Sequence, residues 1–301
     1  MGIRGVLAFV LFSMASFFPT GECQTRSSDL PGGRLPDCLR GGELRGCGPF
    51  AVSSWQTSRD NGRSNKADHD KTTPERASTK YVVGEQINYD VSWSNFIVAG
   101  ELTLQTKERV KFEGREAFHV SAQAESVGLV KALNYRLNDK YESYVDTSSL
   151  MPLGGTKISH HGKRVVQSSF VLDQNGHTAK LADGKSVEVP KDTYDMASVL
   201  FAIREINQTP GVSKTLNVID DGKVYGIRVE AEAREKIYTR AATYDAFRIA
   251  VKMIDGGKAN DVHKIRVYLT RDSQRLPVLI TAEPPWGQIR IEMTRKFKVA
   301  G

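Results

Sequence analysis

Apolar side chains that alternate with polar ones, in short runs separated by turn dipeptides, constrain this chain more than any other feature. Ile87, Tyr89, Val91 and Trp93 occupy every second position, as do Phe118, Val120, Ala122 and Ala124, and later Ile289, Ile291 and Met293. A period of two puts the apolar members on one face of a strand, the mark of a half-buried sheet. Further short runs fill the interval: Tyr135–Val145, Arg164–Leu172, Leu216–Ile219, Val224–Ala233, Ala246–Met253 and Lys264–Thr270. Glu113-Gly114, Asn175-Gly176, Asp183-Gly184, Asp221-Gly222 and Asp255-Gly256-Gly257 punctuate them, and such pairs form tight hairpins. Many short strands joined this way fold as an antiparallel barrel or sandwich, not as a parallel sheet with crossover helices. The expected architecture is therefore mainly β: an antiparallel, strongly curved sheet or barrel.

One segment departs from the strand period. Met196, Val199, Leu200, Ile203 and Ile206 recur at helical spacing and stop before Pro210-Gly211. The spacing predicts one central helix over about 192–208, capped by Asp192 or Thr193, with Asp195 in its first turn. A lone helix with a single apolar stripe covers an open face of the sheet. On either side of it the sequence echoes itself. KERVKFEGREAFHV (107–120) resembles REKIYTRAATYDAFRI (234–249), and DTSSLMPL (146–153) resembles DSQRLPVL (272–279). The echo predicts two similar meanders joined across the helix, with chance similarity between strands as the alternative.

The segment before Tyr81 has another composition. Residues 1–23 carry Arg4 and then the apolar stretch Val6 to Phe18, the pattern of a secretory signal and too short for a comfortable membrane span. Cleavage is expected before Gln24, which would leave no transmembrane helix. Cys23 lacks the residues of a lipoprotein box, since Thr20 and Glu22 stand where an aliphatic and a small residue belong. Residues 24–80 hold only twelve hydrophobic residues among 57, too few to offset the entropy of ordering them. They are expected to form a disordered spacer, with Cys38 and Cys47 either closing a small disulfide or standing as two free thiols. The globular part is then a single β-rich domain over 81–301. A net charge of +7 spread over the whole chain is too diffuse to predict nucleic-acid binding.

The strand and helix motifs have a collective likeness. Tyr81-x-x-Gly84-Glu85-x-Ile87-x-Tyr89-x-Val91-x-Trp93 leads to Ala99-Gly100-Glu101 and Leu104. Tyr135-x-x-x-Asp139-x-Tyr141-Glu142-Ser143-Tyr144 follows, then Tyr194-Asp195-x-x-Ser198 with Phe201 and Arg204. Tyr268-Leu269-Thr270-x-Asp272-x-x-Arg275-Leu276-Pro277-Val278 and Gly287 close the set. From about Tyr81 to Phe297 the chain resembles the bacterial secreted family called domain of unknown function 3108. The resemblance implies an exported, β-rich bacterial protein with no established activity. The Pro284-Pro285-Trp286 turn and the cysteine-bearing segment fall outside it.

The chemistry legible in the sequence is sparse. There is no G-x-S-x-G elbow, H-E-x-x-H pair, P-loop or dinucleotide fingerprint, so no cofactor and no metal are expected. His160-His161 is the sole histidine cluster, and on a strand its two rings point to opposite faces. The family-like motifs supply Glu85, Glu101, Asp139 and Glu142 as acidic candidates for hydrolytic acid–base work, with ion pairing to Arg136, Arg204 or Arg275 as the alternative. Asp195 and Ser198 share a helical face but have no adjacent histidine base. Tyr89, Trp93, Phe96, Tyr135 and Tyr141 either line an apolar cavity or fill an ordinary core. With Arg204 and Arg275 they form the candidate ligand-binding set, and no catalytic residue is assigned. The expectation is an exported, periplasmic or outer-envelope protein that is non-catalytic and binds an amphiphile, a glycan or a partner protein on its curved sheet. A purely structural envelope module and a carboxylate-based secreted hydrolase remain as alternatives.

Overall fold

The computed structural model describes residues 81–298 except 94–96, 129–136, 162–163 and 286. The expected signal, spacer and disulfide, with Cys23, Cys38, Cys47, Phe96 and Tyr135, lie outside the described residues.

Fifteen strands form one sheet. The first eight are β1 (Glu85–Trp93), β2 (Ile97–Phe112), β3 (Arg115–Ser126), β4 (Leu137–Asp146), β5 (Pro152–His161), β6 (Arg164–Asp173), β7 (Thr178–Leu181) and β8 (Ser186–Glu188). A short strand β9 (Thr193–Asp195) and a helix α1 (Val199–Ile203) follow. The rest are β10 (Ser213–Asp220), β11 (Lys223–Tyr238), β12 (Thr243–Asp255), β13 (Lys258–Thr270), β14 (Pro277–Ala282) and β15 (Ile289–Lys298). Their order in space is 8-7-6-5-4-3-2-1-15-14-13-12-11-10-9. Two meanders are thus joined where β1 pairs antiparallel with β15. Only β9 runs parallel to its neighbour, β10.

Local chemistry explains the hairpins. Glu113-Gly114 joins β2 to β3 and Asp221-Gly222 joins β10 to β11, all four residues at positive φ (49°, 76°, 47° and 74°). That is the two-residue turn whose twist matches the twist of its strands. The two meanders also share their irregularities. An extra residue, Lys107, bulges from β2 opposite His119 and Val120. Its counterpart is Glu232, which bulges from β11 opposite Arg248 and Ile249. With Phe118 aligned on Phe247, the two bulges fall at the same place. Each is tied across the sheet to the second strand over, with signs reversed: Lys107 Nζ lies 2.8 Å from Glu142 Oε1 on β4, and Glu232 Oε2 lies 2.8 Å from Arg266 on β13 and 2.9 Å from Arg248 on the intervening β12. The turns after β4 and β13 match as well. Asp146 Oδ1 accepts the backbone N–H of Ser148 and Ser149, and Asp272 Oδ1 that of Gln274 and Arg275. Bulges bend a sheet and sharpen its twist, so the repeated pair curls both halves alike.

The curl brings the two ends of the sheet together, but among the described residues no ladder joins them. Side chains make the closure. Gln174 bonds β9 as a strand would: its Nε2 donates to Thr193 O at 2.8 Å and its Oε1 accepts Thr193 N–H at 3.3 Å. Ser143 Oγ donates to Asp195 Oδ2 at 2.5 Å. Outside this seam, Leu172, Ala179 and Val189 lap over Ile219, with Phe170 and Val224 packed against them. Gly154 and Gly155 make room at the bend of β5. A Cβ at Gly154 would lie 2.6 Å from Phe170 O and 2.9 Å from the Phe112 ring, and one at Gly155 2.6 Å from Glu142 O.

The helix is shorter than its sequence suggests. Instead of spanning 192–208 it runs from Val199 to Ile203. Thr193–Asp195 takes ladder partners on Asn217–Ile219, and those tertiary bonds outweigh helical propensity there. Asp192 lies at φ 58° and caps nothing. Asp195, expected in the first helical turn, ends β9, and its Oδ1 accepts the N–H of Ala197 and Ser198. At the far end Arg275 NH1 donates to Arg204 O at 3.2 Å, capping a carbonyl the helix leaves open.

Candidate functional site

Under α1 the barrel interior is incompletely filled. A cavity of about 80 Å³ lies between the helix and the sheet. Met196, Val199, Leu200 and Ile203 form its lid, four of the five members of the stripe. Leu102 and Leu104 of β2 face them, with Val218, Ile227, Val251, Ile265 and Val267 from β10 to β13. The alternation that makes these strands amphipathic aims every one of these side chains inward.

Two polar groups interrupt the wall, Asp220 and Tyr225. Val218 pairs with Tyr225 and Asp220 with Lys223 across the β10–β11 hairpin, so Val218, Asp220 and Tyr225 share one face. The Tyr225 hydroxyl is buried and has no hydrogen-bond partner among the described residues. Asp220 is 6% exposed and also lines a smaller polar recess of about 20 Å³, together with Tyr141, Lys157, Ser168, Asp195 and Asp221. Met196, Ala197 and Asp220 line both spaces, so the polar recess adjoins the apolar cavity.

Two carboxylates share one ammonium in that recess. Lys157 Nζ lies 2.7 Å from Asp221 Oδ2, and 3.1 and 3.2 Å from the oxygens of Asp220. Ser168 Oγ donates to the other oxygen of Asp221 at 3.0 Å. Asp221 takes the shorter bond and the more exposed place. Burial pushes Asp220 up to about 6; Lys157 opposes that shift and the charge of Asp221 adds to it. Burial works against the Lys157 charge, but Asp220 and Asp221 outweigh it and hold the ammonium above its ordinary value. Lys157 Nζ also stands 5.3 Å from the centre of the Tyr141 ring, within cation–π range. Burial raises the Asp195 carboxyl against the bonds it receives from Ser143, Ser198 and Ala197.

The sequence-derived candidates sit elsewhere, Tyr141 and Glu142 excepted, which both border the recess. Tyr89 is 1% exposed in the core, and Trp93 is half-buried at the end of β1. Arg204, 1% exposed, donates to Glu85 Oε1 at 3.3 Å and to Gln274 O at 2.8 and 3.2 Å. Arg275 serves the end of the helix. The four acidic candidates do not converge. Glu85 faces Arg204, and Glu101 is exposed opposite Glu125 on β3. Asp139 points inward on β4, while Glu142, three positions on, points outward. There Lys107 and Lys140 hold Glu142 down at about 2 against the effect of burial. Among the described residues no three His, Cys, Asp or Glu side chains are grouped to hold a metal, and no helix is long and apolar enough to cross a membrane. Sequence reading missed Lys157, Asp220 and Tyr225. Their one signal was Asp221-Gly222, which marks the turn that sets Asp220 at the cavity mouth.

An antiparallel sheet curled to a barrel, closed by side chains and roofed by one short helix, is the class of protein these features define. Residues 88–294 match the family described as protein of unknown function (DUF3108), and the chain belongs to that family. Among solved structures it is similar to a beta-barrel-like protein of domain of unknown function DUF1849 from Brucella abortus. That pair is 11% identical, with 73% of this chain and all of the other covered and a TM-score of 0.49. It is also similar to a DUF1089 family protein from Pseudomonas aeruginosa, 11% identical over 62% of this chain and 93% of the other, TM-score 0.39. A putative exported protein with a YmcC-like fold from Bacteroides fragilis is 12% identical over 73% and 98%, TM-score 0.29. No curated protein matches the sequence.

Proposed function

We propose that this chain is an exported, non-catalytic protein of the bacterial envelope that holds the apolar part of an amphiphile in the cavity under α1. The observation that carries the reading is the lining of that cavity: a continuous aliphatic wall ending in one polar recess. Such a site suits a ligand with an apolar body and one polar end. Export rests on the Arg4-led apolar segment, and N-terminal sequencing of the mature protein is expected to begin near Gln24. The dispersed positions of Glu85, Glu101, Asp139 and Glu142 weigh against a carboxylate hydrolase.

The volume favours a rival. About 80 Å³ is smaller than the roughly 150 Å³ that accommodates benzene in an engineered core. A purely structural module would show just such a small dry void. The amphiphile reading therefore requires the lid to move. That lid has five residues and no side-chain cap bond at Ser198. Helices this short do not persist without tertiary packing, so displacing it costs little intrinsic helix stability.

The test is uptake of a neutral fluorescent lipid probe by the full chain. Wild-type protein is expected to bind it, and Ala122→Leu, which drives a larger side chain into the cavity, to abolish binding while keeping its β-type far-UV spectrum. Absence of binding by the wild-type protein, or equal binding by both, would favour the structural module.

A further inference from the structure

Resting on the amphiphile reading, we infer that the cavity selects a ligand with an uncharged, hydroxyl-bearing head over one with a carboxylate. The recess that adjoins the cavity carries Asp220 and Asp221 against the single cation Lys157. Asp195 borders the same recess, its oxygens already taken by Ser143 Oγ and by the N–H groups of Ala197 and Ser198. Glu142, the remaining acid on that wall, is neutralised by Lys107 and Lys140. Carboxyl groups therefore outnumber the cation in the recess where the ligand head must sit. A further carboxylate there finds no spare cation among the residues lining the recess, and an unpaired charge close to a buried one is costly.

A hydroxyl fits on both counts. It donates one hydrogen bond and accepts another. Asp220 is an acceptor with lone pairs beyond those facing Lys157. The Tyr225 hydroxyl, buried on the same face, has no partner of its own among the described residues. A ligand hydroxyl lying between them would donate to Asp220 and accept from Tyr225, satisfying a polar atom that the empty cavity leaves unpaired. An ammonium head could meet the excess negative charge, but it has no lone pair with which to accept from Tyr225.

The experiment compares ligands of one chain length. Decan-1-ol, decanoate and decylammonium are titrated at pH 7.5 against a neutral fluorescent probe bound to the full chain. Decanol is expected to displace the probe at least tenfold more effectively than decanoate and no less effectively than decylammonium. Asp220→Asn is expected to bring decanoate within threefold of decanol. Asp221 still holds Lys157 in that variant, and a melting temperature no lower than that of wild type would show that the seam survives. Tyr225→Phe should weaken decanol about fivefold, the worth of one neutral hydrogen bond of about 1 kcal/mol, and leave decanoate unchanged. Lys157→Met, which deepens the negative charge, should weaken decanoate further. Decanoate binding as tightly as decanol, or decylammonium binding tenfold tighter, would overturn the head assignment and leave the amphiphile reading standing. A protein that takes up neither probe nor decanol would overturn both.

Discussion

Replacing Leu200 by alanine tests whether the lid of the cavity is a packed core element or a loose cover. Leu200 is 7% exposed and lines the cavity on one side. The change removes three carbons, worth about 2.4 kcal/mol at roughly 0.8 kcal/mol per methylene. In a tight core a further cavity term of about 1–2 kcal/mol is added, because neighbours cannot close the gap. Leu269 supplies that reference: it is fully buried and does not border the cavity. Leu269→Ala should therefore cost about 4 kcal/mol. At Leu200 the void already exists, so fewer contacts are lost, and Met196 and Val199 on the short lid can settle into the space. About 2 kcal/mol is expected, the transfer term alone. For a domain of this size that is a fall in melting temperature of roughly 4–8 °C, against about twice as much for Leu269→Ala. Differential scanning calorimetry of the two variants reads the difference, and probe uptake by Leu200→Ala should rise. A loss at Leu200 as large as at Leu269, with no gain in uptake, would refute the loose-lid argument.

Glu85→Gln should destabilise by about 3 kcal/mol, because buried Arg204 loses its Glu85 carboxylate; adding Arg204→Met should recover part of that loss, and chemical denaturation of the single and double variants measures it. Gly154→Ala should cost about 1–3 kcal/mol by forcing β5 away from Phe170 and Phe112, again read by denaturation. The raised pKa of Asp220 carries a signed prediction. Burial holds it at about 6 in the folded chain, above the roughly 3.9 of a free aspartate, so the folded state binds the proton more tightly, and stability contributed by this group falls as pH rises from about 4 to 6. The melting temperature of Asp220→Asn minus that of wild type should therefore climb across that window; a flat or falling difference would contradict the assignment.

The period-two runs at Ile87–Trp93, Phe118–Ala124 and Ile289–Met293 became strands with the expected faces buried, because alternation is a local property that any half-buried sheet must satisfy. Turn dipeptides were legible for the same reason: Asp221-Gly222 specifies a backbone conformation before any partner is known. The helix stripe at Met196–Ile206 identified its inward residues, but not its length. Whether Thr193–Asp195 is a strand or a first helical turn depends on the neighbour offered by Asn217–Ile219, which lies two dozen residues away in sequence.

The site was harder to read for a related reason. Aromatic density in the first half drew attention to Tyr89 and Trp93, yet the unfilled space lies against the aliphatic strands β10–β13. Volume that is absent leaves no mark on composition. Lys157 meets Asp220 and Asp221 only because the sheet curls, and the curl comes from bulges at Lys107 and Glu232 that no single-residue pattern announces. What the sequence did carry was the echo between 107–120 and 234–249. That echo aligns Phe118 with Phe247, and the register then puts the bulges at Lys107 and Glu232 at one equivalent point; the two meanders, joined edge to edge at β1 and β15, bring their far strands face to face. Closure by Gln174, Ser143 and Lys157 instead of a hydrogen-bonded ladder follows from this construction. It leaves the seam beside the cavity as the part of the barrel held by side chains, and so the part that opens with least loss of backbone hydrogen bonding.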